Sequence, residues 1–124
     1  MLGLHLTADL YDCRCDPALL TDTARLRLTC VVAVAGAGLT GVAQLFHSFA
    51  SAAAPESGIT GVVLLAESHV AVHTWPERAG VTLDVYVCNF GADNTAKAHA
   101  LFAALGEAFA PARRETHELR RGGA

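Results

Sequence analysis

Apolar and polar positions alternate over Leu4-His5-Leu6-Thr7-Ala8-Asp9-Leu10-Tyr11. The leucines and Ala8 share one face, and His5, Thr7 and Asp9 share the other. A strand with one covered face has this pattern. The period recurs near the middle of the chain. Val81, Leu83, Val85 and Val87 face one way, and Thr82, Asp84, Tyr86 and Cys88 the other. Apolar, β-branched runs predict further strands over residues 39–49, 59–66 and 70–75, and residues 114–119 predict a last one. Residues 50–58, with Pro55 and Gly58, read as a loop.

The period becomes helical twice. After a turn at Cys15-Asp16-Pro17, Thr21 or Asp22 can cap a helix whose apolar stripe is predicted at Leu28, Val31, Val32 and Ala35. Gly36 and Gly38 are suitable stops. Asp93-Asn94 reads as the capping pair of a second helix, with Ala98, Leu101, Phe102, Leu105 and Phe109 as its stripe and Pro111 as its end. Two such helices cannot cover both faces of the sheet. The predicted fold is therefore α+β, a two-layer α/β sandwich with a mainly antiparallel sheet and both helices on one face. The open face then carries His73, Trp75, Asp84, Tyr86 and Cys88. Such a group suits either a dimer interface or a reaction site.

Composition narrows the class. The 124 residues are 52% hydrophobic and 17% charged, with a net charge of −3. That length suits one domain over residues 1–124, and the low charge argues against disorder. Nine Lys+Arg against twelve Asp+Glu make nucleic acid an unexpected partner, although Arg113, Arg114, Arg120 and Arg121 crowd the C-terminal end. The charge-free stretch between Arg27 and Glu56 is broken by glycines, His47 and several hydroxyls, so no membrane span is expected. The beginning of the chain reads as a strand, not a signal peptide, and the cytoplasm is the expected compartment. Cys13 and Cys15 have no second pair at zinc-site spacing. Like Cys30, they read as small buried hydrophobes. The core is rich in Ala, Val and Leu, and its modest area per residue suggests that some apolar surface closes against a second copy of the chain.

Chemistry-bearing residues concentrate in Glu67-Ser68-His69-Val70-Ala71-Val72-His73-Thr74-Trp75-Pro76-Glu77. A metal site on His69 and His73 is disfavoured. Four residues of strand separate their Cα atoms by roughly 13 Å, too far for one ion with bonds of about 2 Å. No metal is expected. Ser68, His73 and Asp84 have the residue types of a hydrolytic triad, but no nucleophile elbow or Gly-rich oxyanion turn accompanies them. The remaining reading is self-processing. The Ser68 hydroxyl attacks the carbonyl of Glu67, a step that needs close approach and a strained backbone. A histidine then removes the Ser68 α-proton from the resulting ester, β-elimination breaks the chain, and the dehydroalanine left behind hydrolyses to a pyruvoyl group.

This string resembles the processing motif of the small prokaryotic S-adenosylmethionine decarboxylases. The resemblance extends to Gly58-Ile59-Thr60-Gly61-Val62-Val63, to Leu83-Asp84-Val85-Tyr86-Val87-Cys88 and to His5-Leu6-Thr7-Ala8-Asp9-Leu10-Tyr11. It implies self-cleavage between Glu67 and Ser68 into fragments 1–67 and 68–124 that stay associated, with a pyruvoyl cofactor derived from Ser68. His73 would take the Ser68 α-proton, with Thr60 supporting processing where the family commonly has serine. Cys88 would donate a proton to the decarboxylated substrate carbon. Glu77 would bind the ribose hydroxyls, and Phe49 would stack on adenine beside a loop that looks longer than the family's. A pyruvoyl carbonyl is an electron sink of the kind pyridoxal phosphate supplies. The resemblance also implies a homodimer or higher assembly in which both protomers shape each site, and a product that feeds spermidine synthesis.

The chain departs from the family pattern after Cys88, where Asn89-Phe90-Gly91 replaces an immediate glycine. Relatives on this scaffold decarboxylate ornithine or arginine, so the substrate stays open between those amino acids and S-adenosylmethionine. A non-processing regulatory subunit is the reading from another class. The retention of Ser68, His73 and Cys88 together argues against it.

Overall fold

A computed structural model describes residues 2–123. The elements in chain order are β1 (Leu2–Cys13), α1 (Ala18–Thr21), α2 (Thr23–Gly36), β2 (Gly41–Ser48), β3 (Ile59–Leu65), β4 (Ser68–Trp75), β5 (Gly80–Cys88), α3 (Thr95–Phe109) and β6 (Pro111–Gly122). They form a six-stranded sheet in the order β2-β3-β4-β5-β1-β6, and every neighbouring pair is antiparallel. The helices lie on one face: α2 contacts β2 and β3, α3 contacts β1 and β5, and α1 touches β4. This is the expected two-layer α/β sandwich.

The alternation seen in the sequence sets the layers. Leu4, Leu6, Ala8 and Leu10 of β1 and Val81, Leu83, Val85 and Val87 of β5 are buried under the helices with Val70 and Val72 of β4. In α3, Ala98, Leu101, Leu105 and Phe109 are fully buried, as the stripe predicts. At Gly61 a side chain would run into the Phe46 ring across the β2–β3 ladder, so the glycine makes room for the aromatic on the helix side.

The first helix differs from expectation. It starts where predicted, with the Asp22 carboxylate accepting from the amides of Ala24 and Arg25 at 3.0 and 3.4 Å. Its buried residues, however, are Leu26, Cys30 and Val34, whereas Leu28 and Val32 are 63% and 61% exposed. Apolar residues stand on both sides of α2, so hydrophobicity alone could not choose the inward stripe. The extra turn α1 also buries Leu19 and Leu20. The last strand runs longer than expected and is exposed along nearly its whole length. Cys30 is fully buried, but Cys13 and Cys15 are only partly so. Among the described residues no helix is long and apolar enough to cross a membrane, and no cluster of His, Cys, Asp or Glu could hold a metal ion.

Two features fix the strands that carry the candidate chemistry. The buried Thr74 hydroxyl donates to the Leu20 carbonyl at 2.7 Å and accepts from the Ile59 amide at 2.9 Å. It thereby ties α1, β3 and β4 together with its own polar atom satisfied. At Gly58 a side chain would collide with the Thr74 carbonyl, so only glycine lets the chain enter β3 so close to β4.

Candidate active site

Strand β4 presents His69, Ala71, His73 and Trp75 to the open face, whereas Ser68, at its first position, has the parity of the buried Val70 and Val72. The expected site residues divide between the two ends of the strand. At the far end, Thr60 of β3 pairs with His73 of β4, and the Thr60 hydroxyl contacts His73 Nδ1 within hydrogen-bonding range. A hydroxyl both donates and accepts, so the contact suits either histidine tautomer. Beyond Trp75 a 3₁₀ turn, Pro76–Arg78, carries Glu77. Phe49, Ser57, Thr60, His73, Trp75 and Glu77 line one open cavity of about 370 Å³. Phe49 is secured despite the long loop that follows. Its amide donates to the Gly58 carbonyl at 2.9 Å, so residues 50–57 bulge outward from a closed base. The Phe49 ring meets His47 edge-on, with centroids 4.8 Å apart.

At the near end stand Glu67, Ser68 and Cys88. Ser68 is the first residue of β4 and pairs with Leu65, which leaves Ala66 and Glu67 as a two-residue turn. Glu67 has φ 59°. That left-handed conformation costs a residue with a side chain roughly 1–2 kcal/mol. Cys88 ends β5, and its amide donates to Ser68 Oγ at 3.0 Å. The Cys88 carbonyl accepts from Asn94 Nδ2 at 3.0 Å.

Ser68 and His73 are thus not neighbours within one chain. Five residues of extended strand separate them, roughly 16 Å. Asp84, the third member of a hydrolytic triad, lies instead beside His5 of β1, with Oδ1 3.4 Å from Nε2. Ser68, His73 and Asp84 therefore form no triad. His5, on the polar face of β1, belongs to a cluster on the open face: its ring lies 6.1 Å from that of Tyr86 and 6.4 Å from that of His69.

Burial raises the Cys30 thiol to about 12, and burial with the neighbouring Cys15 and Asp12 raises Cys13 to about 11. Both remain thiols at neutral pH, in keeping with a packing role.

Residues 4–122 match the sequence model of the family described as S-adenosylmethionine decarboxylase. The chain belongs to that family. It is 46% identical over 88 residues to the S-adenosylmethionine decarboxylase proenzyme of Parasynechococcus marenigrum (strain WH8102), a match covering 71% of this chain and 63% of that protein. It is 44% identical over 87 residues to the proenzyme of Aquifex aeolicus (strain VF5), covering 70% and 59%. The chain spans under two thirds of the length of the first of these curated relatives. The crystal structure of the adenosylmethionine decarboxylase from Aquifex aeolicus VF5 superposes with a TM-score of 0.85 at 34% identity, covering 99% of this chain and 92% of that one. Membership in the S-adenosylmethionine decarboxylase family accounts for the α+β sandwich and for the motif from Glu67 to Glu77.

Sequence reasoning overlooked Asn94 and His5. In the sequence Asn94 reads only as a helix cap. The surplus of two capping residues, Asp93 and Asn94, at one helix start was the available signal. For His5 the signal was weaker: a histidine in register with Tyr86 and diagonal to Asp84, visible only once β1 and β5 are paired.

Proposed function

We propose that the chain is a self-processing, pyruvoyl-dependent decarboxylase of S-adenosylmethionine, a single domain that cleaves between Glu67 and Ser68 into associated fragments 1–67 and 68–124. The observation that carries the reading is the near end of β4. The residue whose carbonyl must be attacked, Glu67, is in a strained conformation, and the attacking oxygen of Ser68 receives the Cys88 amide at 3.0 Å. That bond fixes the position of the nucleophile before it attacks. The fit of a pyruvoyl group rests on these same atoms, since Ser68 begins a strand beside the Cys88 backbone. Once formed, the group supplies an electron sink for the pair released as CO₂ leaves.

The chain's own residues then bind substrate and move protons. In the far-end cleft, Phe49 offers a ring face for a flat base, and the Glu77 carboxylate accepts hydrogen bonds from ribose hydroxyls. The aromatic surfaces of Phe49 and Trp75 also suit a sulfonium cation. His73, held by Thr60, takes the Ser68 α-proton during processing. The Cys88 thiol returns a proton to the substrate carbon.

These roles require both ends of β4 at one reaction centre, although roughly 16 Å of strand separates them. We infer a homodimer in which open faces meet and the Ser68–Cys88 end of one protomer completes the Thr60–His73–Glu77 end of its partner. A two-fold axis would form two such composite sites. Exposed Leu45 and Leu64 on the open face support burial there. Placement in the cytoplasm and a role in spermidine synthesis complete the reading.

The test is denaturing mass spectrometry of the purified protein, followed by CO₂ release from S-adenosylmethionine, ornithine and arginine in parallel. Fragments 1–67 and a pyruvoyl-blocked 68–124, with release from S-adenosylmethionine, are expected. A chain that stays intact overturns self-processing. Release from ornithine or arginine alone overturns the substrate.

A further inference from the structure

Asn94 occupies the N-cap position of α3, yet its side chain makes no capping bond. Asn is among the strongest N-cap residues because its side chain ordinarily accepts a free amide of the first turn. Here that duty falls to Asp93, whose Oδ1 accepts from the Thr95 amide at 3.0 Å. The Asn94 side chain turns the other way and donates Nδ2 to the Cys88 carbonyl at 3.0 Å. A carbonyl only accepts, so the amide's nitrogen end is fixed against it.

Further bonds hold this arrangement. The Asn94 amide donates to Asn89 Oδ1 at 2.8 Å, and Asn89 Nδ2 donates to Thr95 Oγ1 at 3.2 Å. The Asn89 amide donates to the Leu2 carbonyl at 2.7 Å. Residues 88 and 89 are thereby joined to the start of α3 and to β1, all in partly buried surroundings. Cys88 is held on both sides: its amide by Ser68 Oγ and its carbonyl by Asn94.

We propose that Asn94 is a positioning residue that acts through Cys88. By pinning the Cys88 carbonyl it fixes the backbone from which the Cys88 amide reaches Ser68 Oγ and from which the thiol projects. The inference rests on the self-processing reading and deepens it. Asn94 touches neither the scissile bond nor the Phe49–Glu77 cleft, so it sets the rates of cleavage and protonation without setting substrate affinity. Displacement of a reacting group by about 1 Å costs up to a hundredfold in rate, and a single hydrogen bond at the base of Cys88 guards against displacement of that size.

The substitution that separates positioning from capping is Asn94→Asp. Aspartate caps a helix as well as asparagine does. It has no donor, and it sets a carboxylate against the Cys88 carbonyl. Full-length wild-type, Asn94→Asp and Asp93→Ala chains are compared by the rate at which the intact chain divides, followed by denaturing mass spectrometry, and by thermal midpoint. Steady-state kinetics of the divided protein follow. Asn94→Asp is expected to cleave on the order of ten- to a hundredfold more slowly, with a midpoint lowered no more than in Asp93→Ala and, once divided, a lower kcat at unchanged KM. Asp93→Ala, which removes the actual cap, is expected to lower the midpoint and cleave at the wild-type rate. If Asn94→Asp does not fold, Asn94→Ser carries the same expectations, because serine caps but cannot reach the Cys88 carbonyl as a donor. Wild-type cleavage rates in the Asn94 variants overturn the proposal, as does equal slowing by Asp93→Ala. A wild-type chain that never divides overturns the self-processing reading instead.

Discussion

The Cys88 amide and the Ser68 hydroxyl oxygen lie 3.0 Å apart at the point where β4 begins and β5 ends. No residue of β4 precedes Ser68 to accept that amide in the ordinary ladder, so the side chain replaces a strand. The hydroxyl proposed to attack the Glu67 carbonyl is therefore also a structural acceptor, held in place by the Cys88 amide. Ser68→Ala removes both functions. The expected product is an intact 124-residue chain without decarboxylase activity, destabilised by about 1 kcal/mol through the lost bond. Mass spectrometry and urea unfolding of the variant check the two parts.

The separation of Ser68 from His73 predicts complementation between chains. Ser68→Ala and His73→Ala are each expected to be inactive alone. In random mixed dimers half the molecules are heterodimers, and each holds one composite site with Ser68 and His73 both intact. Co-expression is therefore expected to restore about a quarter of the wild-type activity. If every site is built within one chain, co-expression restores none.

Much of this was legible in the sequence because the sheet is covered on one side only. Strict alternation in β1 and β5 identified their buried leucines and valines, and by default it set His5, Asp84, Tyr86 and Cys88 on the open face. The inward face of α2 was not legible, since Leu28 and Val32 are as apolar as Leu26 and Val34 and only the packed sheet chooses between them. The motif put Ser68 and His73 in one short string. Strand geometry holds its two ends apart, and that consequence emerges only when residues 68–75 are known to be extended.

The Phe46–Gly61 pair predicts a cost for filling the glycine. A Gly61→Val side chain would occupy the space of the Phe46 ring and force it off the β2–β3 ladder. Overpacking of this kind costs about 1–3 kcal/mol. The double variant Gly61→Val with Phe46→Ala is expected to recover part of that loss in a urea-unfolding cycle. Independent, additive losses would show that the ring and the glycine are not coupled.

Cys30 predicts an alkaline limit to stability. Burial raises its thiol from 9.0 to about 12 in the folded chain. Below 9.0 both folded and unfolded states hold the proton, and the contribution is fully present. As pH rises further the unfolded state loses its proton first, so stability falls by up to about 1.4 kcal/mol per pH unit until the folded thiol titrates as well. Cys30→Ala is expected to be less stable at pH 7 from the smaller core side chain, but to show a shallower decline between pH 9 and 11. Equal slopes for the two proteins would contradict this assignment.

The conformation of Glu67 predicts that stability and reactivity oppose each other at the scissile bond. At φ 59° glycine is at ease and glutamate is not. Glu67→Gly in the uncleavable Ser68→Ala background is expected to stabilise the precursor by about 0.5–1 kcal/mol, since relief of the left-handed strain exceeds the added freedom of the unfolded chain. In the Ser68 background the same change is expected to slow division of the chain, because the strained turn no longer holds the Glu67 carbonyl toward Ser68 Oγ. Urea unfolding of the first protein and timed mass spectrometry of the second are the measurements. A less stable precursor that divides as fast as wild type would mean that the strain is incidental to cleavage.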